Sequence, residues 1–270
     1  MWVMLVAVGM ACVSAEGAQA QWTQAGEGWC DEDRGERDSD RYCMALEASF
    51  SDPGRVVVDG GMNGGVTVEG WNGDGVEVRA KVWANARSTA RAEEIANLVR
   101  VHMDGGRLSA DGPDTGRREN WGVSWEVMVP RSTDLEIETH NGGIGVTDVS
   151  GRIDFEALNG GVHLTGVGGD VVGHTTNGGL HIELDGDNWE GEGLDVETTN
   201  GGVTLRVPSD YSARLETATV NGGIDIDFPV TVQGRIGRRL SATLGEGGPM
   251  VRAVTTNGGV RIVRRTSVIR

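Results

Sequence analysis

Lysine, proline and aromatic residues are scarce in this 270-residue chain, which limits the binding motifs and the kind of core that it can form. Lysine occurs once, at Lys81, so the Gly-Lys-Ser/Thr end of a phosphate-binding loop cannot form. Only six prolines and 5% aromatic residues are present, so aliphatic side chains must build most of the core, in many short strands. Beyond the N-terminal segment, no stretch is long and apolar enough to span a membrane.

The charge of the chain is strongly negative. Asp and Glu number 40 against 24 Lys and Arg, which gives a net charge of −16, so we expect no nucleic-acid partner. The distribution is uneven, because residues 235–270 hold eight arginines and a single acid, Glu246. This basic end is either a solvated cap or a docking patch for an anionic partner.

The N-terminal segment, residues 1–20, is typical of a secretory signal peptide. Residues 1–15 are uncharged and apolar, and Ala18-Gln19-Ala20 places small residues where a signal peptidase cuts. We therefore predict export to the periplasm, the outer envelope or the cell exterior, with no membrane span in the mature chain. Cys12 invites lipidation, but Gly9-Met10-Ala11 before it lacks the usual leucine.

Removal of that segment leaves two cysteines, Cys30 and Cys43, on either side of an acidic loop. In an exported protein the simplest interpretation of such a pair is a disulfide, which would hold a polar segment over residues 21–52. A metal site is the alternative, and it is weak because no histidine lies nearby in the sequence.

Glycine is abundant, at 44 residues, but without the Gly-X-Y period of collagen. Much of it falls in a repeated Asn-Gly-Gly motif followed by an aliphatic residue. Successive spacings are 78, 18, 18, 23, 21 and 36 residues, so we interpret the chain as coils of about 18 residues with small insertions. The seven motifs begin at Asn63, Asn141, Asn159, Asn177, Asn200, Asn221 and Asn257.

Residues on both sides of each motif alternate apolar and polar, as in half-buried strands. The unit strand, Asn-Gly-Gly bend, strand fits an antiparallel chain of hairpins or a parallel β-solenoid. The near-constant period favours the second, so we predict an all-β fold, a parallel β-solenoid over residues 53–270. Asparagine suits a stacked corner, because it tolerates the left-handed conformation and its amide can bond the next amide. A helix is predicted at about 88–99, covering an end or flank of the sheet.

In this register, outward acidic residues fall into two rows. Their repulsion is relieved either by solvent or by a bound cation such as calcium, and no other cofactor is expected. His163 and His181 also stack in equivalent positions, as an incomplete zinc site. The first row holds Glu136, Asp154, Asp195 and Glu216, and the second holds Glu138, Glu156 and Glu197.

The signal peptide, the Trp29-Cys30 and Tyr42-Cys43 pairs, the helix insertion and the Asn-Gly-Gly coils together resemble a bacterial putative-adhesin family of unknown function. The resemblance implies an exported β-solenoid at the cell surface or in the envelope, with no catalytic residues to carry over. We expect a non-enzymatic, adhesin-like binding or scaffold module whose partner is an envelope protein or a surface glycan. The alternative is a polysaccharide-active β-helix lyase or hydrolase with dispersed Asp, Glu and Arg.

Overall fold

The computed structural model describes residues 22–26, 30, 40–227 and 237–265. The expected signal peptide and Cys12 lie outside these residues, as does most of the acidic loop between the two cysteines. In chain order the elements are β1 (Thr23–Gln24), β2 (Arg41–Ser51), β3 (Arg55–Asp59), β4 (Val66–Trp71), β5 (Gly75–Asn85), α1 (Thr89–Leu98), β6 (Arg100–Asp104), β7 (Arg107–Asp111), β8 (Asn120–Pro130), β9 (Asp134–Asn141), β10 (Ile144–Thr147), β11 (Ser150–Asn159), β12 (Val162–Thr165), β13 (Gly168–Asn177), β14 (Leu180–Glu183), β15 (Gly193–Asn200), β16 (Val203–Val207), β17 (Ala213–Asn221), β18 (Ile224–Ile226), β19 (Arg239–Leu244), β20 (Met250–Asn257) and β21 (Val260–Arg264).

The repeating coil is a pair of strands joined at an Asn-Gly-Gly corner. The strand before each corner belongs to a ten-stranded sheet, and the strand that begins after the glycines belongs to an eleven-stranded sheet. In six of the seven coils the first of these strands is the longer and ends at the asparagine, whereas β3 ends at Asp59, before Asn63. Alternation decides which side chains turn inward: Leu135 and Ile137 are buried, whereas Glu138 is exposed. The apolar core lies between the two sheets.

Equivalent residues of neighbouring coils lie side by side in parallel register. Asn159 is paired with Asn141 on one side and Asn177 on the other, and Val146, Leu164 and Ile182 form one buried row. This pairing confirms the all-β parallel solenoid and excludes the chain of hairpins. Each coil buries its aliphatic residues against the coils next to it, so stacking supplies both hydrogen bonds and core.

The order of the coils departs from the order of the sequence at one end. β20 lies between β15 and β17, and β21 lies between β16 and β18. The long spacing before Asn257 is therefore not two successive ordinary coils, as its length suggested. β19 pairs antiparallel with β17 and forms the edge of the ten-stranded sheet, and the last coil, β20 and β21, lies inside the stack.

The other end of the stack is closed by antiparallel strands and the helix. β8, β5, β2 and β1 extend the eleven-stranded sheet, while β7 and β6 extend the ten-stranded one. α1 confirms the predicted helix: Ser88 caps it by accepting a 3.3 Å hydrogen bond from the N–H of Arg91, and it buries Ala92, Ile95 and Ala96. It packs on β2 and β5, so it covers the end of the core.

The predicted disulfide joins Cys30 to Cys43, with 5.8 Å between their Cα atoms. Cys43 lies in β2, so the bridge joins Cys30 to the eleven-stranded sheet. β2 is hydrogen-bonded along its length to β5, and the sheet therefore continues across the boundary expected at residue 52. In the described part of the chain, no helix is long and apolar enough to cross a membrane.

Candidate functional site

The Asn-Gly-Gly corners form a ladder of side-chain amides. Except at Asn63, whose Nδ2 donates to the carbonyl oxygen of Trp121, each Nδ2 donates to the Oδ1 of a neighbouring rung, over 2.9 Å from Asn159 to Asn141 and 2.8 Å from Asn177 to Asn159. The remaining rungs join Asn141 to Asn63 at 3.3 Å, Asn200 to Asn177 at 2.9 Å, Asn257 to Asn200 at 2.8 Å and Asn221 to Asn257 at 2.7 Å. The ladder holds successive coils in register and is a structural element of the fold.

Close stacking explains the first glycine of each corner. A Cβ added to Gly178 would lie 1.9 Å from the carbonyl oxygen of Gly160, and one added to Gly142 would lie 2.0 Å from that of Gly64. None of the corner asparagines has a positive φ, since Arg118 and Asp148 are the only non-glycine residues with one in the part described. The expected left-handed asparagine is therefore wrong; asparagine is used for its amide and glycine for its lack of a side chain.

Buried threonines, which sequence reasoning missed, brace the same corners. Thr175 donates from its Oγ1 to the carbonyl oxygen of Gly160 over 2.9 Å, and Thr198 does so to Gly178 over 2.7 Å. Their signal is visible in the sequence, because threonine stands two residues before the asparagine in five of the seven motifs. The five are Thr139, Thr175, Thr198, Thr219 and Thr255, and all are buried.

The first acidic row is interleaved with arginines. Arg252 lies between Asp195 and Glu216 and pairs with Asp195, so the predicted adjacency of those two carboxylates is wrong. The cause is the inserted coil, which brings β20 between their strands. Elsewhere in the row Arg55 contacts Glu136, and Arg152 lies 2.9 Å from Asp154. The arginines thus remove most of the repulsion from which a bridging cation was inferred.

The second row holds Glu138 beside Glu156, then His174 and Glu197. In the ranges that the structure describes, no group of three or more His, Cys, Asp or Glu side chains is arranged to hold a metal ion. Calcium binding to either row stays a prediction.

His163 and His181 stack as expected on the outer face of the eleven-stranded sheet. Their ring centroids are 4.7 Å apart and their planes differ by 8°. Partial burial lowers the pKa of His181, and the neighbouring His163 and then Arg206 lower it further. The stack is therefore favoured when the His181 ring is neutral.

The insertions in the repeat gather at the corner opposite the asparagines. The coils that end at Asn200 and Asn221 are longer than the regular coils before them, and their extra residues lie between β14 and β15 and between β16 and β17. We call these two loops, residues 184–192 and 208–212, the insertion corner. In repeat proteins such insertions commonly form the binding face.

A cavity of about 230 Å³ lies at the insertion corner. The first loop lines it with Asp185, Asp187, Asn188 and Glu190, and the second with Tyr211; Ser150 and residues 166–168 close it from the preceding coils. A larger groove of about 1120 Å³ shares the edge at 185–187. The groove also carries acids and arginines, among them Asp210, Arg206, Arg264 and Arg265.

The first loop is held in place by buried and hydrogen-bonded residues. Trp189 is 2% exposed, and its Nε1 donates to the carbonyl oxygen of Gly169 over 3.0 Å. The backbone N–H of Ser212 donates to the carbonyl oxygen of Asp187 over 2.7 Å, which joins the two loops. Arg265 donates to the carbonyl oxygen of Leu184 over 3.0 Å. The lining of the cavity is therefore positioned before any ligand arrives.

Tyr211 is the most unusual residue of the cavity. It is 3% exposed, and its hydroxyl has no hydrogen-bond partner among the described residues. Burial strongly raises the pKa of the phenol, and the negative charges of Glu190 and Asp185 raise it further. The hydroxyl is therefore protonated at neutral pH and is available as a donor. The two coil spacings that depart from the regular period are the signal that could have located this site.

The architecture defines the class of protein, a parallel β-solenoid of two-strand coils closed at one end by a helix and antiparallel strands. The chain belongs to the Toastrack DUF4097 family, whose sequence profile matches residues 127–263. This membership is coarser than the resemblance drawn from the motifs, since it names a fold and no activity. A search of curated proteins finds no match.

Two solved structures are similar over most of the chain. One, described as a "putative cell adhesion protein" from Clostridium sporogenes, is 12% identical with a TM-score of 0.46 and covers 83% of this chain and 100% of its own. The other, described as a "putative adhesin" from Bacteroides fragilis, is 10% identical with a TM-score of 0.36 and covers 82% of this chain and 97% of its own.

Proposed function

We propose that this protein is an exported, adhesin-like binding module of the bacterial envelope or cell surface, and that it binds its partner at the insertion corner. One observation carries the proposal: loops that break the regular period build a polar cavity and an adjoining groove, whereas the neighbouring coils keep their register. A rigid stack that presents one irregular corner is suited to recognition.

Composition and the disulfide support the expected location. A net charge of −16 opposes binding to nucleic acid, and a Cys30–Cys43 bridge is stable in an oxidising compartment. The periplasm, the outer envelope and the cell exterior all satisfy this condition. A surface glycan is the partner that the polar cavity favours, and an envelope protein is the alternative.

The competing proposal is a polysaccharide-active enzyme that uses the acids and arginines of the groove. General acid catalysis at neutral pH needs a carboxyl group whose pKa is raised. Asp185 has the opposite property: a hydrogen bond from the Gly186 backbone lowers its pKa, with Arg265 acting in the same direction. Asp185 is therefore ionised at neutral pH, suited to accepting hydrogen bonds from a ligand and not to acting as the general acid.

The test is a glycan-array screen of the purified protein with and without a chelator, beside an assay for reducing ends and unsaturated products. We expect binding without product release. A corner variant, Asp187→Ala with Asp210→Ala, should lose the signal. The matched variant Glu138→Ala with Glu197→Ala, on the flat sheet face, should keep it.

Three results would contradict the proposal. Product release would identify an enzyme. If only the sheet-face variant lost glycan binding, the binding site would lie on the acidic rows. If the wild-type binding were also abolished by the chelator, the calcium hypothesis would be supported. Absence of all binding would favour a scaffold.

A further inference from the structure

We propose that the 230 Å³ cavity binds one neutral hexose ring of a surface glycan and discriminates against acidic sugars, an inference that rests on the function proposed above. The ligand class follows from three properties of the cavity: an unsatisfied donor on a buried side chain, two carboxylates without ion pairs, and a size close to that of one sugar ring.

The unsatisfied donor is the hydroxyl of Tyr211, a residue that lines the cavity. Its ring is buried, and its hydroxyl is accessible from the cavity and has no hydrogen-bond partner among the described residues, so water or a ligand completes the bond. The raised pKa keeps the phenol protonated, so it can donate a hydrogen bond to a sugar hydroxyl or ring oxygen, and its oxygen can accept one from a sugar hydroxyl.

The carboxylates determine the charge of the ligand. Asp187 and Glu190 are exposed at the rim and make no ion pair with any described residue, while Asp185 is held by Arg265. Unpaired carboxylates accept hydrogen bonds from neighbouring hydroxyl groups, and they repel a carboxylate of the ligand. Arg265 is already engaged by Glu183 and Asp185, so among the described residues no cation remains at the cavity to receive an acidic sugar.

The size of the cavity limits the ligand to one ring. A cavity of about 230 Å³ holds several water molecules and has room on the order of one sugar ring. The groove that shares residues 185–187 gives the remaining sugars of a chain a path away from the cavity.

Calorimetric titration of the purified protein with matched methyl glycosides tests the inference. The probes are the methyl α-glycosides of glucose, galactose and mannose, and the corresponding uronic acids, which differ from them only by a carboxylate at C6. We expect at least one neutral glycoside to bind, and its uronic acid to bind at least tenfold more weakly.

Tyr211→Phe is the decisive variant, because it removes the hydroxyl and nothing else. Loss of one hydrogen bond in a desolvated site should weaken the neutral glycoside roughly tenfold. The melting temperature should not fall, since the deleted hydroxyl has no partner within the described protein. Tyr42→Phe, at the other tyrosine of the chain, is the matched control and should bind like the wild type.

The inference is overturned if no neutral glycoside binds, if the uronic acids bind equally well, or if Tyr211→Phe binds like the wild type. Binding of methyl glucosaminide more than tenfold tighter than methyl glucoside would also overturn it, by identifying a cation site. The glycan array distinguishes this inference from the proposed function. If the wild-type protein binds nothing on the array, the proposed function fails. If the wild-type protein binds and Tyr211→Phe binds equally well, only the present inference fails.

Discussion

The Asn-Gly-Gly corners predict that two adjacent glycines respond very differently to the same substitution. The change Gly178→Ala places a Cβ 1.9 Å from the carbonyl oxygen of Gly160, and both atoms belong to stacked backbone that no side-chain rotation can move. The change Gly179→Ala places it 3.3 Å from the carbonyl oxygen of Gly202, a tight contact that a shift of a few tenths of an ångström relieves. Neither glycine has a positive φ, so steric clash alone separates the two variants.

The magnitude follows from the contacts that must move. Relief of the clash at residue 178 costs about 3 kcal/mol, the upper part of the range for overpacking. The separation also weakens the hydrogen bond from the Gly178 N–H to Asn200 and that from Thr198 to the Gly178 carbonyl oxygen, adding about 1 kcal/mol. A loss of about 4 kcal/mol corresponds to a melting temperature lower by about 10 °C in a chain of this size.

Differential scanning calorimetry of the two variants beside the wild type measures this difference. Gly223→Ala is a further control, because an added Cβ there meets no atom within 4 Å. Gly179→Ala and Gly223→Ala should each melt within a few degrees of the wild type. Equal melting of Gly178→Ala and Gly179→Ala would refute close stacking as the reason for the first glycine.

Three further perturbations have expected outcomes. Asn177→Ala removes two ladder hydrogen bonds and Asn221→Ala removes one. Calorimetry should therefore show a fall in melting temperature about twice as large for Asn177→Ala as for Asn221→Ala. Equal falls would contradict the ladder. Reduction of Cys30–Cys43 should cost about 3 kcal/mol in denaturant titrations, and thiol titration of the unreduced, denatured protein should find neither cysteine free. The pKa of His181 is lowered in the fold, so its contribution to stability is present above the ordinary histidine pKa and is lost as pH falls below it. His181→Gln should therefore reduce the fall in melting temperature between pH 7 and pH 5. An equal fall in the variant and the wild type would count against the stacked pair.

The repeat made the coil predictable because its chemistry is local. Asn-Gly-Gly and the alternation of residues such as Leu135 and Glu136 fix a strand, a corner and a strand, and the near-constant spacing implies stacking. The order of the stack was not predictable in the same way. All the corners have the same chemistry, so either Asn221 or Asn257 could occupy the rung next to Asn200. The tertiary pairing of β20 with β15 places Asn257 there.

The candidate site was predictable only in outline. The two irregular spacings, before Asn200 and before Asn221, show where the repeat is interrupted, but they do not reveal that Tyr211 is buried among carboxylates. That depends on how the two loops pack on Trp189 and on the preceding coils. The acidic rows illustrate the converse, because a pattern clear in the sequence is largely neutralised by Arg55, Arg152 and Arg252.

The inserted last coil has a consequence for how the protein reaches its native state. In a chain that folds from its N-terminal end, β17 could stack directly on β15, with its corner amides matched, before β20 is in place. That arrangement would put Glu216 beside Asp195, two carboxylates in contact on neighbouring strands, which is unfavourable. Arg252 separates the two carboxylates only once the C-terminal coil is in place. Repulsion in the first acidic row therefore disfavours direct stacking of β17 on β15 and favours the native order, in which β20 lies between them.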